Sequence, residues 1–221
     1  MRHSNNSWKL RGAGVLASLA LVMGPGTASA TFFTTEASFS AANTGLALLD
    51  FEGIAAPGTF IPLGSLPIAN GNITSPGNSI AISDSAFFFA TPSAVLFDNR
   101  FGGTIAFTFG PNVNAVGFDV GVGFNGGNGF FDVFDGLTLL DSQIVAESNQ
   151  NTMSGFVGWS GLGDITNVTF RTDGNAFPLI DNLRFGSAAQ TIPEPTSLGL
   201  IGLTLVGMGF SRRQEIGRAH V

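Results

Sequence analysis

The chain has 221 residues, a formal net charge of −6, no cysteine and 22 phenylalanines. Between Thr31 and Gln190, three arginines stand against thirteen acidic residues, a formal charge of −10 without any lysine, histidine or cysteine. Nucleic-acid binding is disfavoured because phosphate contacts need Lys and Arg. No disulfide can form, and the 44% hydrophobic content argues against disorder. Divalent cations and neutral ligands are therefore the expected partners.

The first thirty residues have the three parts of a secretory signal peptide. Its basic residues are Arg2, Lys9 and Arg11. The apolar run Gly12–Gly24 follows, and Ala28 and Ala30 form a small-x-small cleavage site. The run is shorter than the roughly 20 residues of a membrane span. We therefore expect a signal helix at residues 1–30, export through the Sec translocon and a mature chain that begins near Thr31, with an uncleaved anchor as the alternative.

Residues 31–186 carry strand patterns without an amphipathic helix. In Ala115–Phe124 the apolar side chains Val116, Phe118 and Val120 share one face, the period-two pattern of a half-buried antiparallel strand. A loop is predicted at Asn125–Gly129. Strands are predicted at Leu46–Phe51, Ala86–Ala90, Ala94–Phe97, Thr104–Phe109, Ala115–Phe124, Phe130–Phe134, Leu137–Val145, Gly155–Trp159, Ile165–Arg171 and Leu179–Phe185.

These short strands, about eight to ten in number and separated by turns, predict an all-β domain at residues 31–186. The expected architecture is a two-sheet antiparallel β-sandwich of the jelly-roll type. A parallel sheet is disfavoured because no helix separates the strands. A right-handed β-helix is the alternative, although no repeat of fixed period is visible. A short linker, residues 187–192, follows the domain.

The C-terminal region has three parts in a fixed order. Pro193-Glu194-Pro195 precedes the apolar run Leu198–Phe210, and Arg212 and Arg213 follow it. The prolines stiffen an extended segment around one carboxylate. The run predicts a hydrophobic transmembrane helix that stops transfer and leaves the arginines in the cytoplasm. An ordinary C-terminal anchor is the alternative.

Residues 193–213 resemble the bacterial PEP-CTERM sorting signal in these three parts. The resemblance implies processing by exosortase, a membrane protease-transpeptidase, so that the chain is membrane-anchored first and then reaches the cell surface or extracellular matrix. It also implies a Gram-negative-type bacterium with exopolysaccharide or biofilm machinery. The last seven residues, 215–221, read like a translated sequencing adapter, so we expect them to be non-native and assign no role to His220.

The residue types of the domain argue against catalysis. Without histidine or cysteine, the domain lacks Ser-His-Asp and Cys-His nucleophiles and zinc sites of the usual kind. A glycosidase needs two carboxylates that flank a cleft. Asp119 with Asp132, or Asp50 with Glu52, would supply such a pair. Since thirteen scattered acids make chance pairs common, we expect a protein that is not an enzyme.

Glu52 and Asp181 are the candidate ligands of a structural calcium ion. On the strand Leu179–Phe185, Asp181 shares a face with Leu183 and Phe185 in a regular alternation, and an inward carboxylate needs hydrogen bonds or a cation. The first and last strands of many jelly rolls are neighbours, so Glu52 is expected near Asp181. In the alternative, Asp181-Asn182 caps backbone groups at the strand end and Glu52 pairs with an arginine such as Arg184.

The stretches Gly155–Trp159, Ile165–Phe170 and Ile180–Phe185 resemble the sandwiches of carbohydrate-binding modules, which implies calcium or glycan binding. Trp159, the only tryptophan of the mature domain, is expected in the core, and it is also the one candidate sugar platform. We therefore predict an exported surface or matrix protein with a non-catalytic binding or structural role. A carbohydrate-binding module is the first alternative, with extracellular polysaccharide as the partner, and a carboxylate-dependent glycosidase is the second.

Overall fold

A computed structural model describes residues 30–188, except residues 86, 88, 90, 125–126 and 148–151. The predictions for the signal helix, Ala28 of the cleavage site, the sorting tail with its hydrophobic helix and the final heptapeptide all lie outside the described residues. Within them, no helix is long and apolar enough to cross a membrane.

The described elements follow one another in this order: β1 (Thr31–Phe33), α1 (Glu36–Ala42), β2 (Ala47–Leu49), β3 (Phe60–Pro62), β4 (Ser65–Ile68), β5 (Gly71–Thr74), β6 (Ile80–Ser83), β7 (Val95–Asp98), β8 (Thr104–Phe109), β9 (Ala115–Phe124), β10 (Gly127–Asp135), β11 (Thr138–Glu147), β12 (Thr152–Ser160), β13 (Asn167–Thr172) and β14 (Ala176–Gly186).

The strands form two antiparallel sheets, which confirms the predicted all-β sandwich. One sheet has the order β1-β12-β9-β14-β7-β6-β3, with β2 also paired to β14, and the other has the order β11-β10-β13-β8-β5-β4. The fourteen strands of the described residues exceed the eight to ten predicted. The additional strands β1 and β3–β6 have only three or four residues each, too few to show an alternating pattern.

Phenylalanine rings fill the space between the two sheets. The Phe118 ring lies 5.2 Å from that of Phe107, 5.6 Å from that of Phe131 and 5.8 Å from that of Phe170, measured between centroids. All four side chains are fully buried. Each such aromatic pair adds about 0.5–1.5 kcal/mol beyond the effect of area burial. The aromatic core thus supplies cohesion in a chain that has no disulfide.

Helix α1 covers one end of the outer face of the eight-stranded sheet and was not predicted. The Thr35 hydroxyl caps it by accepting a hydrogen bond from the Ser38 amide at 3.3 Å. Its buried Phe39 ring packs over Gly117 and Gly158, where a Cβ would lie within about 3 Å of that ring. With seven residues, α1 is too short to show a helical period in the sequence.

Phe89 covers the opposite end of the same sheet. The Phe89 ring lies where a Cβ on Gly123 would be 2.7 Å away, and it packs edge-on against Phe97. The strand predicted at Ala86–Ala90 is wrong at its described residues, since Phe87 lies in a turn and Phe89 in a bend. The predicted loop at Asn125–Gly129 is also too long, because β10 begins at Gly127.

Candidate functional site

A bulge in β14 reverses the predicted orientation of Asp181. The register between β14 and β9 shifts between Asp181 and Arg184, and Asn182 there has a φ of 50°. Leu183 and Phe185 therefore face the core, whereas Asp181 lies on the outer face, directly opposite Asp119 of β9. The prediction that Asp181 shares a face with Leu183 is wrong because one left-handed residue breaks the alternation. Asp181 is nevertheless buried, at 2% exposure.

Asn182 joins the two carboxylates of this outer-face pair. Its backbone amide donates to Asp181 Oδ1 at 2.6 Å, and its side-chain Nδ2 donates to Asp181 Oδ2 at 3.2 Å and to Asp119 Oδ2 at 2.8 Å. The Ser93 hydroxyl also donates to Asp181 Oδ2. Side-chain and backbone donors, rather than an ion pair, thus hold Asp181 in place.

Glu52 reaches the same cluster through the loop before β7. Its Oε1 accepts a hydrogen bond from the Ala94 amide at 2.8 Å, next to the Ser93 that binds Asp181. The structure therefore brings Glu52 and Asp181 to adjacent residues of one loop. Arg184 instead pairs with Glu36 of α1, so the alternative pairing of Glu52 with Arg184 is wrong.

Burial dominates the electrostatics of this acidic cluster. Burial raises the pKa of Asp181 from 3.8 to about 6; hydrogen bonds from Ser93 and Asn182 oppose the rise, and the charges of Asp119 and Glu52 add to it. Burial also raises the pKa of Asp119, against the hydrogen bond from Asn182 and the charge of Arg184. A buried carboxylate without a counter-charge prefers its neutral form, so the pair favours at least one bound proton near pH 5.

The calcium interpretation stays a prediction. Among the described residues, no group of three or more Asp, Glu or His side chains is arranged to hold a metal ion. Asp181 and Glu52 would supply two carboxylates, with Asp119 nearby across the sheet. A calcium ion here would have to displace the donors of Ser93 and Asn182 or share their acceptors.

Of the two carboxylate pairs considered for a glycosidase, Asp119 and Asp132 lie on opposite sides of the core. The Asp119 side chain projects from the outer face of the eight-stranded sheet. The Asp132 side chain projects from the outer face of the six-stranded sheet, on the other side of the core. Asp50 accepts the Glu52 backbone amide at 3.2 Å in a local turn. Asp132 instead lies 3.7 Å from Arg171, whose guanidinium sits 4.1 Å from the Phe130 ring.

Trp159 lies in the core rather than on the surface. Its side chain is 2% exposed, and its indole fills the space where a Cβ on Gly161 would be 2.3 Å away. Its Nε1 has no hydrogen-bond partner among the described residues. Since neither face of the ring is open, a sugar could not stack on Trp159 in this conformation.

An exposed aromatic cluster at one end of the sandwich replaces Trp159 as the candidate platform. Phe101 is 56% exposed and Phe124 is 39% exposed, and both rings pack on the largely buried Phe177. Ring centroids are 4.5 Å apart for Phe101 and Phe177, 5.0 Å for Phe124 and Phe177, and 5.8 Å for Phe101 and Phe124. We call these three residues the Phe platform.

The backbone holds Phe124 in an uncommon conformation to complete this platform. Its φ is 70°, a left-handed value that costs a non-glycine residue about 1–3 kcal/mol and that is found often at functional sites. A small cavity of about 60 Å³ lies below, lined by Phe124, Phe177 and Asn99 among others. Asp173, which accepts hydrogen bonds from Asn128, stands at the same end of the sheets.

This platform could not be predicted from the sequence, because Phe101 and Phe124 lie at or beyond strand ends. Phe101 belongs to the turn before β8, and Phe124 is the last residue of β9. An aromatic residue directly before Gly102-Gly103 in a turn was the one available signal. For Ser93 the sequence offered none.

The C-terminal tail matches the description "PEP-CTERM protein-sorting motif" over residues 191–213. The chain carries a PEP-CTERM sorting motif. The match includes Pro193, Glu194 and Pro195 as well as Arg212 and Arg213, and it ends before the final heptapeptide. The motif covers about a tenth of the chain. It therefore identifies the tail and assigns no family to the β-domain.

The β-domain is remotely similar to several solved structures. A family 29 carbohydrate-binding module is 10% identical, with 72% of this chain and 90% of that chain covered and a TM-score of 0.36. A variant of a family 29 module is 8% identical over 59% and 93% of the two chains, with a TM-score of 0.37. A family 6 module is 12% identical over 58% and 92%, with a TM-score of 0.35. No curated protein matches the chain.

Proposed function

We propose that the protein is exported, anchored through its C-terminal tail, processed by exosortase and then retained at the cell surface or in the extracellular matrix. The observation that carries this proposal is the PEP-CTERM motif at residues 191–213, in a chain that opens with a signal-peptide pattern. Arg212 and Arg213 stay on the cytoplasmic side and thereby hold the tail in the membrane, with the β-domain on the opposite side.

Glu194→Gln tests the recognition step. The carboxylate between the two prolines is the one charge of that segment, so its loss should leave the unprocessed chain in the membrane fraction. Glu215→Gln is the matched control, since it changes the same residue type outside the motif. Immunoblots of the membrane and released fractions measure the ratio of unprocessed to processed chain for each variant. Equal processing of both variants would refute recognition through Glu194.

The β-domain acts, on this proposal, as a non-catalytic binding or structural domain. The two carboxylates with raised pKa, Asp119 and Asp181, are joined by hydrogen bonds from Asn182. Helix α1 and the loop before β7, which contains Ser93, cover the two ends of the sheet face on which they lie. Asp181 is 2% exposed, so a substrate could not reach it. The calcium role of Glu52 and Asp181 is part of the same proposal, and a calcium-dependent rise in melting temperature that Asp181→Asn removes would support it.

Carbohydrate binding is the second candidate function, and the Phe platform favours it. A sugar ring stacks its C–H face on an open aromatic ring, and its hydroxyls bind amide and carboxylate groups beside that ring. Phe101 and Phe124 supply the open rings, while Asn99 and Asp173 supply polar groups at the same end. The domain's charge of −10 fits a neutral polysaccharide better than an acidic one.

Phe101→Ala tests carbohydrate binding directly. We expect the affinity for the host's own extracellular polysaccharide to fall by several-fold to about tenfold, as the loss of one stacking ring predicts. Leu162→Ala is the control, because Leu162 is 68% exposed but lies beyond the other end of β9. Affinity electrophoresis in polysaccharide-containing gels measures the retardation of the parent protein and of both variants. Carbohydrate binding through the Phe platform would be refuted if the parent protein is not retarded or if the two variants are retarded equally.

A further inference from the structure

The edge strand β11 is built unlike the other three sheet edges of the described residues. The edge strands β1 and β3 have three residues each, and β4 has four. Pro62 and Pro67 lie within β3 and β4. Short length and proline are two means by which proteins prevent strands from pairing at an edge; bulges and inward charges, both of which β11 has, are others. β11 has ten residues and contains neither proline nor lysine.

The outer face of β11 carries exposed apolar side chains. Leu139 is 52% exposed, Leu140 is 37% exposed and Ile144 is 67% exposed. The register with β10 shifts between Val133 and Phe134, which makes Leu140 the extra residue of a bulge and places it beside Leu139. Three exposed aliphatic residues on one edge strand are costly in water unless another surface covers them.

The inner face of β11 carries two polar side chains, Asp141 and Gln143, beside Val145, which packs against the core. Asp141 and Gln143 stand opposite Val133 and Phe131, both of which face the core. Within the chain, Gln143 Nε2 donates to Asp141 Oδ1 at 3.1 Å. A two-fold axis through Ser142 would place Asp141 of each copy opposite Gln143 of the other, so that no like charges meet.

The same axis also matches the outer face. Antiparallel partners share a face of the sheet, and pairing about Ser142 sets Leu140 of each copy opposite Ile144 of the other. Charge and apolar matching are thus both met by an axis at Ser142.

We propose that β11 pairs antiparallel with β11 of a second copy of this chain, about a two-fold axis at Ser142, and joins two six-stranded sheets into one. In the part of the chain that the structure describes, the outward side of β11 has no neighbouring strand. The contact covers Leu140 and Ile144 in both copies and pairs the outward backbone groups of β11. The Ser142 amide on the axis donates to Asp141 Oδ1 at 2.8 Å within the chain, so pairing exchanges that hydrogen bond for one across the interface. The domains carry a formal charge of −10 each, so their repulsion opposes pairing and salt promotes it.

A cysteine at the axis tests the register, and the absence of native cysteine keeps the experiment simple. Ser142→Cys should form a disulfide-linked dimer under mild oxidation, because opposed Cα atoms in an antiparallel pair lie about 4.5–5.5 Å apart. Thr138→Cys is the control at the exposed start of β11. Its two copies would be about 25 Å apart, so it should stay reduced.

Ile144→Lys tests the surface without any cross-link. Sedimentation velocity of the exported protein, at about 1 to about 100 µM, should show a reversible dimer that strengthens from about 50 mM to about 500 mM NaCl. Lysine on the edge should weaken the dimer at least about tenfold. Leu162→Lys, at an apolar site of similar exposure, should leave dimerisation unchanged.

Four outcomes overturn the proposal. The first is a parent protein that stays monomeric over the whole range of protein concentration, and the second is cross-linking of both cysteine variants at equal rates. The third is a dimer that Ile144→Lys does not weaken, and the fourth is a monomer that binds neutral lipid vesicles through Ile144. A dimer that Ile144→Lys weakens, together with selective cross-linking at Ser142, supports it. Circular dichroism of each variant checks that the fold is retained.

Discussion

Asp181→Asn should remove a large part of the pH dependence of this domain's stability. Burial raises the pKa of the Asp181 carboxyl from 3.8 to about 6 in the folded chain. Because the folded-state pKa lies above the unfolded-state value, the contribution of this group to stability is complete below about pH 4. It is lost as the pH rises through about 6. Asparagine stays neutral throughout, so the variant should not show this loss.

The expected magnitude follows from the shift. A rise of about two pKa units corresponds to about 3 kcal/mol, since each unit is worth about 1.4 kcal/mol. At 2% exposure, solvent screens this effect little. The parent protein should therefore lose up to about 3 kcal/mol more unfolding free energy between pH 4 and pH 7 than the variant loses. Asparagine also alters the contacts with Ser93 and Asn182, but such a constant cost cancels in the difference between the two pH values.

Urea unfolding followed by tryptophan fluorescence measures this difference at several pH values from 4 to 7. Asp98→Asn is the control, because Asp98 is equally buried but accepts hydrogen bonds from Arg100 and the Thr104 amide, both at 2.9 Å. Loss of that paired charge should destabilise the fold by about 1–3 kcal/mol at pH 7, the reverse of the Asp181 effect. Parallel pH profiles for the parent and Asp181→Asn would show that burial does not control this carboxyl.

Two further predictions concern packing and are measured by the same unfolding assay. Gly158→Ala should lower the unfolding free energy by about 1–3 kcal/mol, since its Cβ would lie 2.7 Å from the buried Phe39 ring. Gly163→Ala, whose Cβ would have nothing within 4 Å, should leave the unfolding free energy nearly unchanged. Equal effects of the two substitutions would contradict the packing of α1 on the sheet. Phe118→Ala should cost about 3–5 kcal/mol because it empties the centre of the aromatic core. Phe101→Ala, at a site that is 56% exposed, should cost less than half of that, and a similar cost at both sites would be inconsistent with this division of the rings.

The long strands were predictable because each carries its own alternating pattern. β8 and β9 alternate buried and outward-facing residues over six and ten positions, and the sequence located both with their observed bounds. The short strands β3 to β6 and helix α1 could not be located in this way. They owe their structure to the neighbours that they pair with or cover, such as β6 with β7 and Phe39 over Gly158.

The candidate site was predicted only in part. The sequence brought Glu52 and Asp181 together through the expected adjacency of first and last strands, and the structure links both to the loop that contains Ser93 and Ala94. It could not show the bulge at Asn182, because a left-handed asparagine leaves no periodic trace. Trp159 illustrates the same limit, since one aromatic residue on a strand fits either face until the register is known.

The sequence by itself determined that the chain carries a sorting motif and what kind of fold the domain adopts. A signal-peptide pattern, a Pro-Glu-Pro motif with its apolar run and arginines, and strand periodicity are all local features, readable from neighbouring residues. Only the tertiary structure decided which carboxylates meet, which phenylalanines stay exposed and which sheet edge is open. Those properties depend on register, bulges and crossings between two sheets, where residues far apart in the chain become neighbours.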